Sequence, residues 1–157
     1  MDFKRALLIA GRIGLGVMFL YSGYAKLSQP WLQFAVSIES FKLVPDNLLE
    51  PMARGLPWLE VATGLGVLLP VIAPWCALLA TLMLTVFTGA GVSAYSRGLA
   101  VDCGCFGSGG GDPIGPKWFA EHGAMILLGL VVTAGAFLMP RTKKREVETA
   151  EALPAIT

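Results

Sequence analysis

Cys103 and Cys105 stand two residues apart in the string VDCGCFG. A disulfide between them closes a very small ring, and a disulfide held away from relaxed geometry is easier to reduce. Gly104 supplies the backbone freedom such a ring demands. Closing so short a loop adds little stability, so the pair suits electron exchange better than stapling. Two alternatives stay open: metal ligation, and an inert structural pair. A closed zinc site wants four ligands, and beyond the two thiols the chain offers one histidine, His122, with carboxylates such as Asp102 and Asp112. Two thiolates alone suffice for Cu(I). No metal is expected. Cys76 lies alone in an apolar run and reads as a small buried apolar residue.

Ionisable residues within or beside apolar segments are costly in lipid and therefore count as functional candidates. Glu60, Lys26, Arg97, Glu121 and His122 all fall at the ends of apolar segments on the side that carries the Cys-Gly-Cys string. Cys103, Cys105 and Glu60 form the expected catalytic set, the thiols exchanging electrons and the carboxylate moving the accompanying protons. Lys26, Arg97, Trp58, Tyr24 and His122 are the residues expected to hold a lipid-soluble electron carrier such as a quinone. Arg97 or Lys117 would favour the attacking thiolate. Each has a plainer reading. Glu60 can pair with Lys26 or Arg97 merely to fix helix packing, the lysines and arginines, Arg12 included, can snorkel to the interface, and His122 can be structural. Tyr21, Tyr24, Trp58, Trp118 and Phe119 fit an aromatic belt before they fit the walls of a ligand site.

These residues need elements to position them, and the composition says which kind. Of 157 residues, 55% are hydrophobic and only 15% charged, the balance of a membrane protein. The net charge of +1, with the basic residues gathered at the chain ends, gives no nucleic-acid surface. Residues 6–27 are apolar with one interior charge, enough at about 1.5 Å per residue to cross about 30 Å of hydrocarbon. This run is expected to be a retained anchor, since Arg12 interrupts it and no small-x-small site precedes Lys26. Residues 28–54 carry Trp31, Phe34, Ile38 and Phe41 at helical spacing among polar residues, the pattern of a short interfacial helix. Pro57 is placed to open the next helix.

Further spans are expected over residues 56–72, 75–96 and 118–139, the first two joined as a tight hairpin around Pro70 and Pro74. The predicted fold is all-α: a four-helix integral membrane bundle over residues 1–140, with a polar tail over 141–157. Lys4, Arg5 and Arg12 flank the first span, and Arg141, Lys143, Lys144 and Arg145 follow the last, so the positive-inside rule puts both termini in the cytoplasm. The Gly-rich loop with Cys103 and Cys105 then faces the periplasm or its equivalent, where thiols stay oxidised. The string GLGV occurs at 14–17 and at 64–67. Small residues that let helices approach in lipid explain it without an internal duplication.

LPWLEVATGLGVLLP (56–70), VDCGCFG (101–107) and YSGYAKL (21–27) together resemble the MauE branch of the DoxX-like redox-associated membrane proteins, over about residues 6–139. The resemblance implies a four-helix inner-membrane bundle associated with thiol–disulfide chemistry outside the cytoplasm. It also implies a link to methylamine utilisation, through maturation of a disulfide-rich exported dehydrogenase. It points to Cys103 and Cys105 as the redox pair, exchanging with an exported thioredoxin-like or disulfide-containing protein, and leaves Glu60 as a second site. Two other classes compete. A non-catalytic scaffold for an exported oxidoreductase needs the pair permanently oxidised, and a metal or small-molecule carrier needs it reduced and loaded.

Overall fold

The computed structural model describes residues 3–101 and 114–138. Cys103, Cys105, Asp102, Asp112 and the tail over 141–157 lie outside the described residues. Helix α1 (Phe3–Leu27) is followed by α2 (Trp31–Ser40), α3 (Asp46–Leu68), α4 (Ala73–Ser96) and α5 (Pro116–Leu138). Three of these, α1, α4 and α5, are long and apolar enough to cross a membrane. They turn large apolar side chains outward, among them Ile13, Val17, Leu82, Val86, Leu127 and Val131. A surface of that kind is at rest in hydrocarbon, where helices also satisfy their own backbone hydrogen bonds. The chain is a multi-pass membrane protein.

The all-helical class is as expected, and α4 and α5 begin two residues before the expected spans. The stretch between α1 and α4 differs. Only α2 is found as a short helix in the stretch expected to be interfacial, and the residues from Asp46 onward already belong to α3, so Pro57 lies inside that helix rather than opening it. Pro45 is the residue that starts it, in an extended conformation with Asp46 in the first turn, where a carboxylate complements the positive helix end. The helix carries Asp46, Glu50, Arg54 and Glu60, and unlike α1, α4 and α5 it is not apolar enough over its length to count as a membrane span on composition. Residues 69–72 form the expected tight hairpin turn instead of a last turn of helix.

Apolar side chains from α1, α3, α4 and α5 share one core: Leu15 and Phe19, Val67, Ala77, Ala80, Met83 and Leu84, and Val132. Its closest seam is α1 against α3, where the two GLGV strings meet. A Cβ on Gly64 would stand 2.9 Å from the Gly16 carbonyl and 3.0 Å from the Leu20 nitrogen. The backbones touch there because neither glycine has a side chain, which is the packing use expected for these residues. Seven residues after Gly16, a Cβ on Gly23 would lie 2.9 Å from the Pro57 carbonyl.

Polar side chains tie the helix ends. Arg12 reaches across to the end of α3: its Nε and Nη2 donate to the Val67 carbonyl at 3.3 and 3.0 Å, and Nη2 reaches Leu68 at 3.4 Å, capping the C-terminus of that helix. Arg97 donates to the Phe41 carbonyl, and at 3.4 Å to Lys42, holding the left-handed turn (φ 50°) that ends α2. Gly98, at φ +68°, then closes α4, the Leu99 nitrogen reaching Ala94 at 3.1 Å and the Gly98 nitrogen reaching Tyr95 at 3.0 Å.

Gly64→Ala is expected to destabilise the protein by about 1–3 kcal/mol, since backbone rather than a movable side chain meets the new methyl. Gly89→Ala, with nothing within 4 Å of the added atom, should be neutral or slightly stabilising. Unfolding of both variants in the same detergent checks this, and equal stabilities would contradict the seam.

Candidate functional site

Because Gly23 brings α1 against α3 at Pro57, the next turn of α1 delivers Lys26 beside Glu60. Lys26 Nζ donates to Glu60 Oε1 at 2.6 Å and Oε2 at 2.8 Å, and to Ser22 Oγ, one turn back on its own helix, at 2.9 Å. An ammonium has three protons, and three acceptors meet it. Ser22 Oγ donates in turn to Glu60 Oε2 at 3.2 Å. Both charged residues are only 4% exposed, so each depends on the other to remain ionised. Phe34 of α2 and Phe87 of α4 flank the ammonium, with ring centroids 5.2 and 5.6 Å away.

A cavity of about 40 Å³ opens beside the pair, and His122 of α5 lines it together with Ser22, Lys26 and Glu60. The remaining walls are apolar, chiefly Met18, Met83, Phe87 and Met125. That space accepts water, and the polar wall gives a water partners. His122 is buried and lies on Trp118, the rings 3.8 Å apart at 26°. Its Nδ1 is 3.0 Å from the Trp118 carbonyl, which only accepts, so Nδ1 carries the proton and in the neutral ring the lone pair is on Nε2.

Trp118 connects this cavity to the roots of the cysteine-bearing segment. It is 3% exposed, not an interfacial anchor, because Gly91 leaves a notch on α4 into which its six-membered ring fits. Val101 and Ile114, joined by a 3.3 Å backbone hydrogen bond, pack in one cluster with Trp118, Ala94 and Phe41. The segment that holds Cys103 and Cys105 therefore leaves and rejoins the fold against the tryptophan on which His122 lies.

Of the residues expected to act together, the structure joins Glu60, Lys26 and His122. Cys103 and Cys105 lie outside the described residues, and Arg97, Tyr24, Trp58 and Lys117 are not brought to the pair. Arg97 is occupied with the end of α2 and does not pair with Glu60, while Tyr24 and Trp58 are 68% and 65% exposed, on the outer faces of α1 and α3. Lys117 stands 3.9 Å from Glu121 on the exposed side of α5. Cys76 is half-buried, with its sulfur in the notch left by Gly66 across the α3–α4 turn, as a small apolar residue would be. Among the described residues no group of His, Cys, Asp and Glu is arranged to hold a metal.

Ser22, Phe34, Met83 and Phe87 were not expected at the site. Ser22 was within reach of inference, standing four residues before Lys26 on one helix face. The others are ordinary apolar residues in sequence. Met83 and Phe87 also form part of a second, almost wholly apolar groove of about 360 Å³ between α2, α3 and α4, lined further by Phe34, Ile38, Met52 and Val86.

A family model described as methylamine utilisation protein MauE matches residues 4–140. Three relatives carry the name methylamine utilization protein MauE. The one from Methylorubrum extorquens is 41% identical over 78 residues, 49% of this chain and 42% of the relative. That of Paracoccus denitrificans is 31% identical over 124 residues, 78% of this chain and 62% of the relative, and that of Methylophilus methylotrophus is 32% identical over 74 residues, 46% and 39%. The chain thus spans between 39% and 62% of the length of these relatives. No solved structure matches it.

Removing one charge of the Lys26–Glu60 pair leaves the other buried and alone. Lys26→Met and Glu60→Leu are each expected to cost about 3–5 kcal/mol, and the double variant much less than their sum. Unfolding of the three variants in one detergent checks this; additive losses would mean that the two charges act separately.

Proposed function

This chain belongs to the MauE family, and we propose that it is a thiol–disulfide redox protein of the inner membrane, serving methylamine utilisation as its relatives' names state. Cys103 and Cys105 exchange disulfides with an exported, thioredoxin-like or disulfide-rich protein. Their two electrons pass to or from a lipid-soluble carrier such as a quinone. In the oxidising direction the partner's dithiol is converted to a disulfide and the Cys103–Cys105 disulfide to two thiols. Those thiols close again to a disulfide and release two protons and two electrons, which convert quinone to hydroquinone. Glu60 and His122 carry protons between the carrier and water.

The observation that carries this reading is the placement of a buried, ion-paired carboxylate and a histidine beside one small cavity, joined through Trp118 to the roots of the cysteine-bearing segment. The apolar groove that shares Met83 and Phe87 with that cavity supports a ligand with an apolar body. Ligand pockets are typically about 300–1,000 Å³, a range that the groove meets and the cavity does not. The carrier's body therefore belongs in the groove, with its polar edge turned through Met83 and Phe87 toward Lys26.

The topology belongs to the same proposal. Helix α3, whose 23 residues are long enough to cross and which joins the common core through Val67, is the fourth span, and α2 lies at the interface. Both termini are cytoplasmic, and Cys103 and Cys105 face outward.

Thiol trapping in native membranes tests the proposal. A membrane-impermeant maleimide is expected to label the protein only after reduction, to lose that labelling when quinone is supplied, and to fail on the Cys103→Ser, Cys105→Ser double variant. Glu60→Gln should slow quinone-dependent reoxidation, and so the loss of labelling, by about 100-fold or more while leaving labelling after reduction intact. Thiols that stay oxidised whatever the carrier would replace this reading with that of a fixed scaffold, and thiols never labelled after reduction would overturn the topology.

A further inference from the structure

At the opposite end of the fold from the Lys26–Glu60 pair, a groove of about 220 Å³ lies where α1 begins, α4 begins and α5 ends. We infer that this groove binds the phosphodiester headgroup of an anionic phospholipid between Arg5 and Arg12. Nothing in the redox reading requires it. Arg5 and Arg12 are seven residues, two turns, apart on α1 and so share a face. Both line the groove, with Pro70, Pro74 and the apolar residues Leu8 and Val132 completing it.

The hydrogen bonds of Arg12 to α3 use Nε and Nη2 and hold the guanidinium rigidly at the α3–α4 turn, leaving Nη1 as the third nitrogen of the fork. Ala73 and Pro74, the first two residues of α4, also line the groove, so the positive end of a 24-residue helix adds to the two cations. No described carboxylate lines it. Three sources of positive potential converge on a mouth able to hold an anion.

The surroundings select which anion. Ile9, in the lining itself, Ile13 next to Arg12, Val71 and Ile72 in the turn between Pro70 and Ala73, and Leu138 two residues beyond Ala136 are all exposed apolar residues. The two helices that flank it, α1 and α5, are candidate spans. An anion that carries its own acyl chains covers that surface, and a free phosphate does not. The phosphate oxygens pair with the guanidiniums in the fork geometry that arginine favours, while one chain lies along α1 and α5.

Thermal unfolding of the full chain in a neutral detergent tests this. Added phosphatidylglycerol is expected to raise Tm by about 5 °C. Phosphatidylcholine of the same chains, and inorganic phosphate, should give little change. Arg5→Gln should lose at least half of the phosphatidylglycerol shift, whereas Lys42→Gln, which removes a cation at the other end of the fold, should keep it. Equal shifts from the two lipids, a full shift from inorganic phosphate, an undiminished shift in Arg5→Gln, or an equal loss in Lys42→Gln would each overturn the assignment.

Discussion

A lysine and a glutamate stripped of water between helices can stay charged only while each has the other, and much of this structure serves to keep them together. The contact needs α1 and α3 nearer than ordinary side chains permit. Gly16, Gly23 and Gly64 provide that approach, and Ser22, one turn before Lys26, fills the last acceptor position around the ammonium. Helix α2 gains a physical purpose from the same pair. Too short to cross a bilayer, it folds over the end of α1 and sets Phe34 against the ammonium, opposite Phe87 of α4. A charge that would draw water from the membrane surface is thereby closed over with aromatic faces.

The two ends of the fold are built on different chemistry. At one end Arg97 binds the last carbonyls of α2, Gly98 turns the chain away from α4, and Val101 with Ile114 fixes the roots of the next segment against Trp118. At the other, Arg12 caps α3 just before the tight turn into α4. Both arginines satisfy carbonyls that helix termini leave open, a need that grows more acute where lipid rather than water surrounds the backbone. Their forks explain why neither takes part in the Lys26–Glu60 contact.

Much of the helical layout was legible because apolar length is a strong signal: residues 75–96 and 118–139 were expected as spans, and the helices found there are Ala73–Ser96 and Pro116–Leu138. The start of α3 was not legible. Pro51 and Pro57 look like boundaries, yet the helix begins at Asp46 and runs through both, because tertiary packing against α1 and α2 outweighs the bond each proline removes. At the site, the pairing of Glu60 with Lys26 could be weighed from charge cost alone. That Arg97 would not be the partner could not, since it rests on where α2 ends in space. Trp118 misled for a related reason: an aromatic near a span end reads as an interfacial anchor, and only the notch at Gly91 draws it inside. Cys103 and Cys105 fall outside the described residues, so their chemistry rests on their spacing and on the anchoring of Val101 and Ile114 beside them.

The relation between the small cavity and the large groove constrains any chemistry performed here. A space of about 40 Å³ beside Glu60 and His122 has room for water, not for a reactant ring, while the groove of about 360 Å³ has the volume for a reactant but, among the described residues, only one polar residue, Ser37, in its lining. Neither suffices alone. What separates them is Met83 and Phe87, residues common to both, and methionine is the side chain most easily rearranged within a packed interior. Proton exchange with a hydrophobic reactant would thus pass through a movable partition. Behind that partition the Lys26–Glu60 pair is mutually satisfied, with Ser22 as the third partner.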